Sequence, residues 1–224
     1  MTTLTVSGLT VAVGGRPVVD GLTLDLDTGA LLVVTGPSGS GKSVALAAMA
    51  GVVRPTGGRV LLDERDVHRD RSARRKIGYC PPRTAVDGNV TVREHLGFHA
   101  RCRGVDRDER HGVVDGVIEL FDLAEHRDVL GGRLAPGVAR RVHLARAFVH
   151  DPEVILLDDP LAGMDEASRR NVVEVLGSMT ALDKIVVVAS TRAEDFTDIA
   201  SAVATIEAGR LESVRKPTTF AATT

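Results

Sequence analysis

Aromatic residues, cysteine and unbalanced charge are all scarce in this 224-residue sequence, and each scarcity excludes a class of protein. Five phenylalanines, one tyrosine and no tryptophan are too few for the aromatic surface on which single-stranded nucleic acid stacks. Two cysteines cannot form the disulfide framework of a secreted domain and are typical of a reducing compartment. The 28 basic and 30 acidic side chains leave a net charge of −2, which gives the whole chain no attraction for nucleic acid or an anionic membrane.

Long hydrophobic runs are also missing from the sequence. No apolar stretch reaches the roughly 18 residues of a membrane span, and residues 1–5 lack the charged and apolar regions that begin a signal peptide. We therefore expect a cytoplasmic protein without a membrane span of its own. Since 43% of the residues are hydrophobic, the chain can bury a core, and its length favours a single domain over 1–224 with an insertion.

Strand-like and helix-like stretches alternate along much of the chain. Short β-like runs occupy 10–13, 22–27, 31–35 and 59–63, and continuous apolar runs follow at 154–157 and 184–189. Helical stretches lie over 43–50 and 138–149 and after Asp165. Strands separated by helices indicate βαβ crossovers, and hence a parallel sheet.

The middle of the chain is helical in pattern. Thr91 with Glu94, and Asp106 with Glu109, have the spacing of a capping box, which predicts helices ending near residues 102 and 123. We interpret 84–133 as an inserted helical lobe between two parts of one core, 1–83 and 134–224. The polar, aperiodic stretch 213–224 predicts a mobile tail.

The first segment that carries chemistry fits the pattern G-x-x-x-x-G-K-[ST] between a predicted buried strand and a predicted helix. Such a loop can wrap phosphate closely, because glycine adds no side chain and the successive N–H groups create positive potential. Lys42 supplies a point charge, and the Ser43 hydroxyl is a candidate ligand for Mg²⁺. The candidate phosphate-binding residues are Gly36, Pro37, Ser38, Gly39, Ser40, Gly41, Lys42 and Ser43.

Two carboxylates follow the apolar run 154–157. Asp158 is a candidate ligand for Mg²⁺, and Asp159 is the candidate group that orients or deprotonates an attacking water. The alternative is a strand-end turn with two solvated aspartates, which the phosphate-binding pattern upstream disfavours.

With these two segments the chain resembles the nucleotide-binding subunit of ABC transporters over nearly its whole length. Further likeness lies in 78–81, which resembles the approach to the family's Q-loop, in 140–147, which resembles the helix after its signature motif, and in 161–165, which resembles its D-loop. The resemblance implies an α/β P-loop NTPase with a mainly parallel core sheet, an N-terminal antiparallel β subdomain and an inserted helical subdomain. The stretch 90–105 is most similar to cassettes of drug and polysaccharide exporters.

The same resemblance implies ATP and Mg²⁺ as cofactors and a transmembrane permease subunit as partner. The chain would then be peripheral on the inner face of the cell membrane, held there by that permease.

The sequence departs from the family pattern at the groups that act on the γ-phosphate and the water. Pro82 stands where the family has the Q-loop glutamine, and Arg192 stands where it has a switch histidine, although arginine cannot relay a proton. Asp159 replaces a glutamate and is one methylene shorter, and misplacement by about 1 Å can cost ~10²-fold in rate. Asp159 and Arg192 are therefore the candidate catalytic residues of a slowed ATPase.

The signature motif is altered as well. Ala135, Pro136 and Val138 stand where the family has serine, glycine and glutamine, so a hydroxyl, a backbone N–H and an amide are lost. Val13 stands where an aromatic residue usually stacks on adenine. We expect a signature that caps phosphate poorly, which predicts a heterodimer with a second nucleotide-binding subunit whose signature is intact.

Two functions of different classes follow. The first is the ATP-binding motor of a membrane export system with weak or partner-dependent hydrolysis. The second is a non-hydrolysing sensor or scaffold in which ATP promotes association. Retention of Lys42, Ser43 and Asp158 favours the first. An ATPase of DNA repair or chromosome organisation is disfavoured, because no sustained heptads indicate a long coiled coil, and no nucleic-acid partner is expected.

Overall fold

The structure, a computed structural model, describes residues 1–216 and contains two sheets with six α-helices. The strands are β1 (Thr3–Val13), β2 (Arg16–Asp27), β3 (Leu31–Thr35), β4 (Gly57–Leu62), β5 (Arg65–Asp66), β6 (Ile77–Cys80), β7 (Val154–Asp158), β8 (Ile185–Ala189), β9 (Ala202–Glu207) and β10 (Arg210–Arg215). The helices are α1 (Lys42–Met49), α2 (Arg71–Arg75), α3 (Val92–Arg103), α4 (Arg110–Leu120), α5 (Pro136–Ala145) and α6 (Glu166–Ala181).

The larger sheet has the strand order β10-β9-β3-β8-β7-β6. Its strands pair in parallel except for β10, which is antiparallel to β9. The central strands β3, β7 and β8 are buried almost throughout, as expected of strands covered by helices on both faces. The predicted α/β class with a mainly parallel core sheet is confirmed.

Alternate side chains of β3 lie on opposite faces of this sheet, because successive residues of a strand point in opposite directions. Leu32 and Val34 belong to a hydrophobic cluster that includes Leu46 of α1, whereas Leu31 and Val33 belong to a second cluster on the other face. The first cluster fixes the position of α1, and with it the position of the loop that precedes it.

The N-terminal strands form the smaller sheet, in the order β2-β1-β4-β5. All three pairings are antiparallel, and β1 and β2 alternate buried with exposed residues along much of their length. The predicted N-terminal antiparallel β subdomain is confirmed, although β1 begins at Thr3 rather than at residue 10.

Helices α3 and α4 lie in the segment that the sequence assigns to an inserted lobe, and the boundaries 84 and 133 stay a prediction. The capping box at the start of α3 is present: the Thr91 N–H donates to Glu94 Oε2 (2.8 Å), and the Glu94 N–H donates to Thr91 Oγ1 (3.2 Å). The second predicted capping box is wrong. Helix α4 starts only at Arg110, and its N-cap Glu109 makes no capping hydrogen bond through its side chain.

The end of the described chain also differs from the prediction of a tail that begins at Ser213. Ser213, Val214 and Arg215 lie in β10, where Ser213 is in register with Thr205 of β9. Pairing with β9 therefore orders the first part of the segment, although the polar composition of the segment does not indicate a strand. The rest of the predicted tail, 217–224, lies outside the described residues. No helix among residues 1–216 is both long enough and apolar enough to cross a bilayer.

Candidate nucleotide-binding site

Three loops meet at one edge of the core sheet because β3, β8 and β7 are parallel neighbours. The loop 36–41 follows β3, Asp159 follows β7, and Ser190 and Arg192 follow β8. In open parallel sheets ligands bind outside the carboxyl ends of the strands, so this edge is the candidate site. The fold thus gathers the predicted phosphate-binding loop and both predicted carboxylates in one place.

The phosphate-binding loop, residues 36–43, needs glycine at two positions for reasons visible in the structure. Gly36 has φ +141° and Gly41 has φ +103°, conformations that L side chains rarely adopt. A Cβ at Gly36 would also overlap the carbonyl oxygen of Ile206, and one at Gly41 the carbonyl oxygen of Val18. The loop is therefore packed against backbone on its inner side, while its residues 37–39 are exposed.

Lys42 is the first residue of α1, and its ammonium group lies inside the phosphate-binding loop. Its Nζ donates to the carbonyl oxygens of Gly36 and Pro37, both at 2.8 Å, and the side chain is buried. Burial lowers the pKa of Lys42, and the carboxylates of Asp158 and Asp159 raise it in part. The lysine is thus a positive charge held among carbonyl groups and carboxylates, in the position where a phosphate would meet it.

Asp158, at the end of β7, has the environment of a metal ligand. It is only 4% exposed, and its Oδ2 has no hydrogen-bond partner among the described residues. Burial raises the pKa of Asp158, and a hydrogen bond with the Ser43 side chain lowers it in part. Because a divalent cation favours the ionised carboxylate and would satisfy the unpartnered oxygen, Asp158 and Ser43 fit a Mg²⁺ site.

Asp159 is exposed, and its backbone adopts φ +48°, which is uncommon for a residue other than glycine. Its N–H donates to the Ala189 carbonyl oxygen (2.8 Å), which fixes the start of this turn against β8. The carboxylate lies close enough to Lys42 and Asp158 to influence the pKa of both. Its position fits the predicted role beside the phosphates.

Arg192 is engaged with acidic neighbours rather than free. Its guanidinium forms ion pairs with Glu194 (3.3 Å) and Asp195 (3.1 Å), and Asp195 also binds Arg169 of α6 (2.6 Å). Arg192 is half exposed, so the pairs are solvated and each contributes little to stability. The candidate catalytic arginine therefore lies on the loop after β8 with its charge paired to two carboxylates, and its role stays a prediction.

The altered signature residues begin α5. Ala135 is its N-cap and makes no capping hydrogen bond through its side chain, and Pro136 occupies the first turn, where it supplies no N–H. Val13 is 62% exposed at the end of β1. None of these three positions thus presents a polar side chain to a nucleotide, and Pro136 presents no N–H group either.

Arg140 is a residue of the site to which no sequence pattern points, and it lies where three of the site's segments meet. Its guanidinium donates to the carbonyl oxygens of Pro81, Pro82, Asp158 and Asp159. Residues 140 and 141 are both arginine in an otherwise amphipathic helix, and nothing in the sequence distinguishes the one that reaches this site. The only available signal is the resemblance of 140–147 to the helix after the signature motif.

His143 holds the same segment from one turn further along α5. The Ala85 N–H donates to its Nδ1 (3.1 Å), which leaves the proton on Nε2 for the Pro81 carbonyl oxygen (3.3 Å). The ring is completely buried, and burial together with Arg146 lowers the pKa of His143 to about 4. The fold therefore requires the neutral imidazole.

Because His143 must stay neutral in the folded protein, we expect the free energy of unfolding to fall in mild acid. Its pKa in the folded protein lies below the ordinary value of about 6.5, so its contribution is complete above that pH and is lost as the pH falls toward about 4. Urea unfolding at pH 7, 6 and 5 should give a free energy of unfolding that declines less steeply in His143→Gln. The difference in slope is up to about 1.4 kcal/mol per pH unit. Parallel pH profiles would contradict the assignment.

The chain is similar to known ATP-binding proteins of ABC transporters. A family model described as "ABC transporter" matches residues 19–162. Nod factor export ATP-binding protein I of Burkholderia lata is 33% identical over 198 residues, covering 88% of this chain and 65% of that protein. The protein of the same name from Burkholderia thailandensis is 34% identical over 204 residues, covering 91% and 67%.

An Fe(3+) ions import ATP-binding protein of Haemophilus influenzae is 33% identical over 171 residues, covering 76% of this chain and 52% of that protein. The chain thus spans between about half and two thirds of the length of these curated relatives.

Solved structures share the fold. An ATP-binding subunit of an ABC transporter superposes with a TM-score of 0.87 at 19% identity, covering 95% of this chain and 89% of that chain. A dimeric ATP-binding cassette in a post-hydrolysis state, bound to ADP and Pi, also superposes with a TM-score of 0.87, at 22% identity over 97% of this chain and all of that one.

Proposed function

The chain belongs to the ABC transporter family, and from that premise we propose that it is the ATP-binding subunit of a membrane export system. It binds Mg-ATP at the loop 36–43, with Ser43 and Asp158 holding the metal. The observation that carries this proposal is the buried Lys42 ammonium inside the loop, near an Asp158 carboxylate that has an oxygen without a hydrogen-bond partner among the described residues. Export is favoured over import by the likeness of 90–105 to exporter cassettes and by the Nod factor export relatives.

In this proposal hydrolysis is slow. Pro82 supplies no side-chain carbonyl to hold water or metal, Asp159 is shorter than glutamate, and Arg192 is paired with two carboxylates. Asp159 is the catalytic carboxylate of the reaction, and Arg192 acts on phosphate only when its ion pairs with Glu194 and Asp195 open. The chain's own contribution is to bind the nucleotide and place Asp159 beside it.

The proposed working assembly is asymmetric. The phosphate loop and Asp158 of this chain complete one site with the intact signature of a second nucleotide-binding subunit, whereas that subunit's nucleotide faces Ala135 and Pro136. Each hydrogen bond lost to a charged group costs about 1.5–3 kcal/mol, so the loss of a hydroxyl and an N–H weakens the second cap substantially. A transmembrane permease holds the pair on the cytoplasmic face of the membrane, and no nucleic acid takes part.

A second candidate is a non-hydrolysing sensor or scaffold that ATP binding drives into association. The ion pairs of Arg192 with Glu194 and Asp195 favour it, because they withdraw this arginine from the phosphates. The two functions differ in turnover. The motor consumes ATP when its partner is present, and the sensor binds ATP without consuming it.

The test is the ATPase rate of the purified chain, alone and mixed with a second cassette whose signature is intact. We expect little turnover from the chain alone and at least a tenfold higher rate from the mixture, with Lys42→Ala in this chain lowering that rate. Light scattering with Mg-ATP should detect a complex only in the mixture. A mixed complex that never hydrolyses ATP would favour the sensor, and a tight ATP-dependent homodimer that Pro136→Gly leaves unchanged would contradict the asymmetric assembly.

A further inference from the structure

Arg140 of α5 is one of the most deeply buried side chains of the protein, only 2% exposed. Its Nη1 donates to the carbonyl oxygens of Pro81 (3.0 Å) and Pro82 (3.2 Å). Its Nη2 donates to the carbonyl oxygens of Asp158 (2.7 Å) and Asp159 (2.8 Å). One guanidinium group therefore binds two chain segments that are more than seventy residues apart in sequence.

No carboxylate among the described residues lies within ion-pair distance of the Arg140 guanidinium. Among the described residues Arg140 forms no ion pair, and its four partners are all backbone carbonyl oxygens, while its Nε is buried without a partner. A buried charge is costly unless it is well bonded, and the hydrogen bonds that offset this cost all go to the backbone of the two segments. The planar guanidinium group presents its donors to two pairs of carbonyl groups, a geometry that the single ammonium group of lysine cannot reproduce.

The bonds from Arg140 fix the peptide groups on which the site depends. Asp158 and Asp159 are the proposed metal ligand and the proposed catalytic carboxylate, and Arg140 holds the carbonyl group of each. Asp159 adopts φ +48°, a conformation of higher energy that needs restraint from its surroundings. Its N–H is held by the Ala189 carbonyl oxygen, so Arg140 supplies the restraint on the other side.

The second pair of bonds concerns the loop in which Pro82 stands in place of glutamine. Two consecutive prolines offer this loop no N–H group at 81 and 82 and no polar side chain there. Its carbonyl groups are consequently what the rest of the site can hold, and Arg140 binds both. The 81–82 loop and the 158–159 turn are thereby joined through one side chain of α5.

We propose that Arg140 is a positioning residue for the nucleotide site: by joining the 81–82 loop to the 158–159 turn, it holds Asp158 where it can bind Mg²⁺ and Asp159 where it can face the attacking water. The inference rests on the proposed binding of Mg-ATP. It assigns to α5, the helix that begins at the altered signature, a second task inside its own subunit.

Arg141 provides a matched control in the next position of the same helix. It is also buried, at 7% exposed, and its Nη1 donates to the carbonyl oxygens of Phe121 (3.1 Å) and Asp122 (2.7 Å), away from the three loops of the site. Both arginines support the fold, but only Arg140 touches the segments that carry the metal ligand. A change in Mg²⁺ dependence therefore separates positioning from general stability.

The experiment measures the affinity of the full chain for a fluorescent ATP analogue, once with Mg²⁺ and once with EDTA, in the wild type, Arg140→Gln and Arg141→Gln. Thermal unfolding of each variant reports its stability. We expect Arg140→Gln to lose at least fivefold of the affinity gained from Mg²⁺, while its affinity in EDTA stays within about twofold of the wild type. Arg141→Gln should keep the whole gain although its melting temperature falls too.

Arg140→Lys keeps the proposal testable if the glutamine variant does not fold. Its single ammonium group preserves the buried charge but cannot bridge both pairs of carbonyl groups, so the gain from Mg²⁺ should again fall. A wild-type gain that Arg140→Gln or Arg140→Lys retains in full, or that Arg141→Gln loses equally, would overturn this inference alone. A wild-type chain that binds the analogue in neither condition would overturn the proposed function, and this inference with it.

Discussion

Replacing Lys42 by alanine is expected to weaken the binding of Mg-ATP by at least about tenfold. The ammonium group already lies inside the phosphate loop, where it donates to the carbonyl oxygens of Gly36 and Pro37 at 2.8 Å, so a phosphate in the loop would replace these acceptors with charged ones. A hydrogen bond to a charged group contributes about 1.5–3 kcal/mol, and each 1.4 kcal/mol is a factor of ten in affinity.

Titration with a fluorescent ATP analogue measures this effect, and Lys184→Ala is the control. Lys184 precedes β8 and is paired with Asp151 at 2.7 Å, so its removal alters the charge of the chain equally without touching the loop. Equal affinities for Lys42→Ala and the wild type would refute the assignment of residues 36–43 to phosphate.

Gly36→Ala is expected to have the largest effect on stability. A Cβ at this position would overlap the carbonyl oxygen of Ile206, and φ +141° is a conformation that alanine rarely adopts, so either the loop or β9 must move. We expect the free energy of unfolding to fall by about 3 kcal/mol, with loss of nucleotide binding.

Gly39→Ala is the matched control in the same loop. Gly39 also has a positive φ, +80°, but nothing lies within 4 Å of the position its Cβ would take. This variant bears only the conformational cost, about 1 kcal/mol. Urea unfolding of the two variants measures the difference, and equal midpoints would show that the contact with Ile206 does not constrain the loop.

The parts of the fold that could be predicted are those in which each residue carries its own signal. The apolar β-branched run 154–157 has to be covered on both faces, which predicts a central parallel strand, and the structure confirms it. The glycine and lysine pattern of 36–43 likewise specifies a loop between a strand and a helix. Sequence reasoning succeeds here because burial and backbone conformation restrict the residue types directly.

Other features depend on partners that leave no mark in the sequence. Arg140 donates to backbone carbonyl groups, which every residue possesses, so the residue types of its partners do not indicate its role. The capping box at 106–109 was wrong because the helix starts only at Arg110, and its N-cap is Glu109, whose side chain makes no capping hydrogen bond. The strand at 213–215 was missed because its order comes from pairing with β9.

The contact between the phosphate loop and the β9–β10 hairpin makes an early segment of the chain depend on a late one. Gly36 packs against Ile206, the Gly209 N–H donates to the Ser40 carbonyl oxygen (3.0 Å), and the Asp20 N–H donates to the Gly209 carbonyl oxygen (2.8 Å). A loop encoded early in the chain is therefore completed only after residues near position 209 have been synthesised and paired. On the proposed function, nucleotide would stabilise the chain only once that pairing is in place.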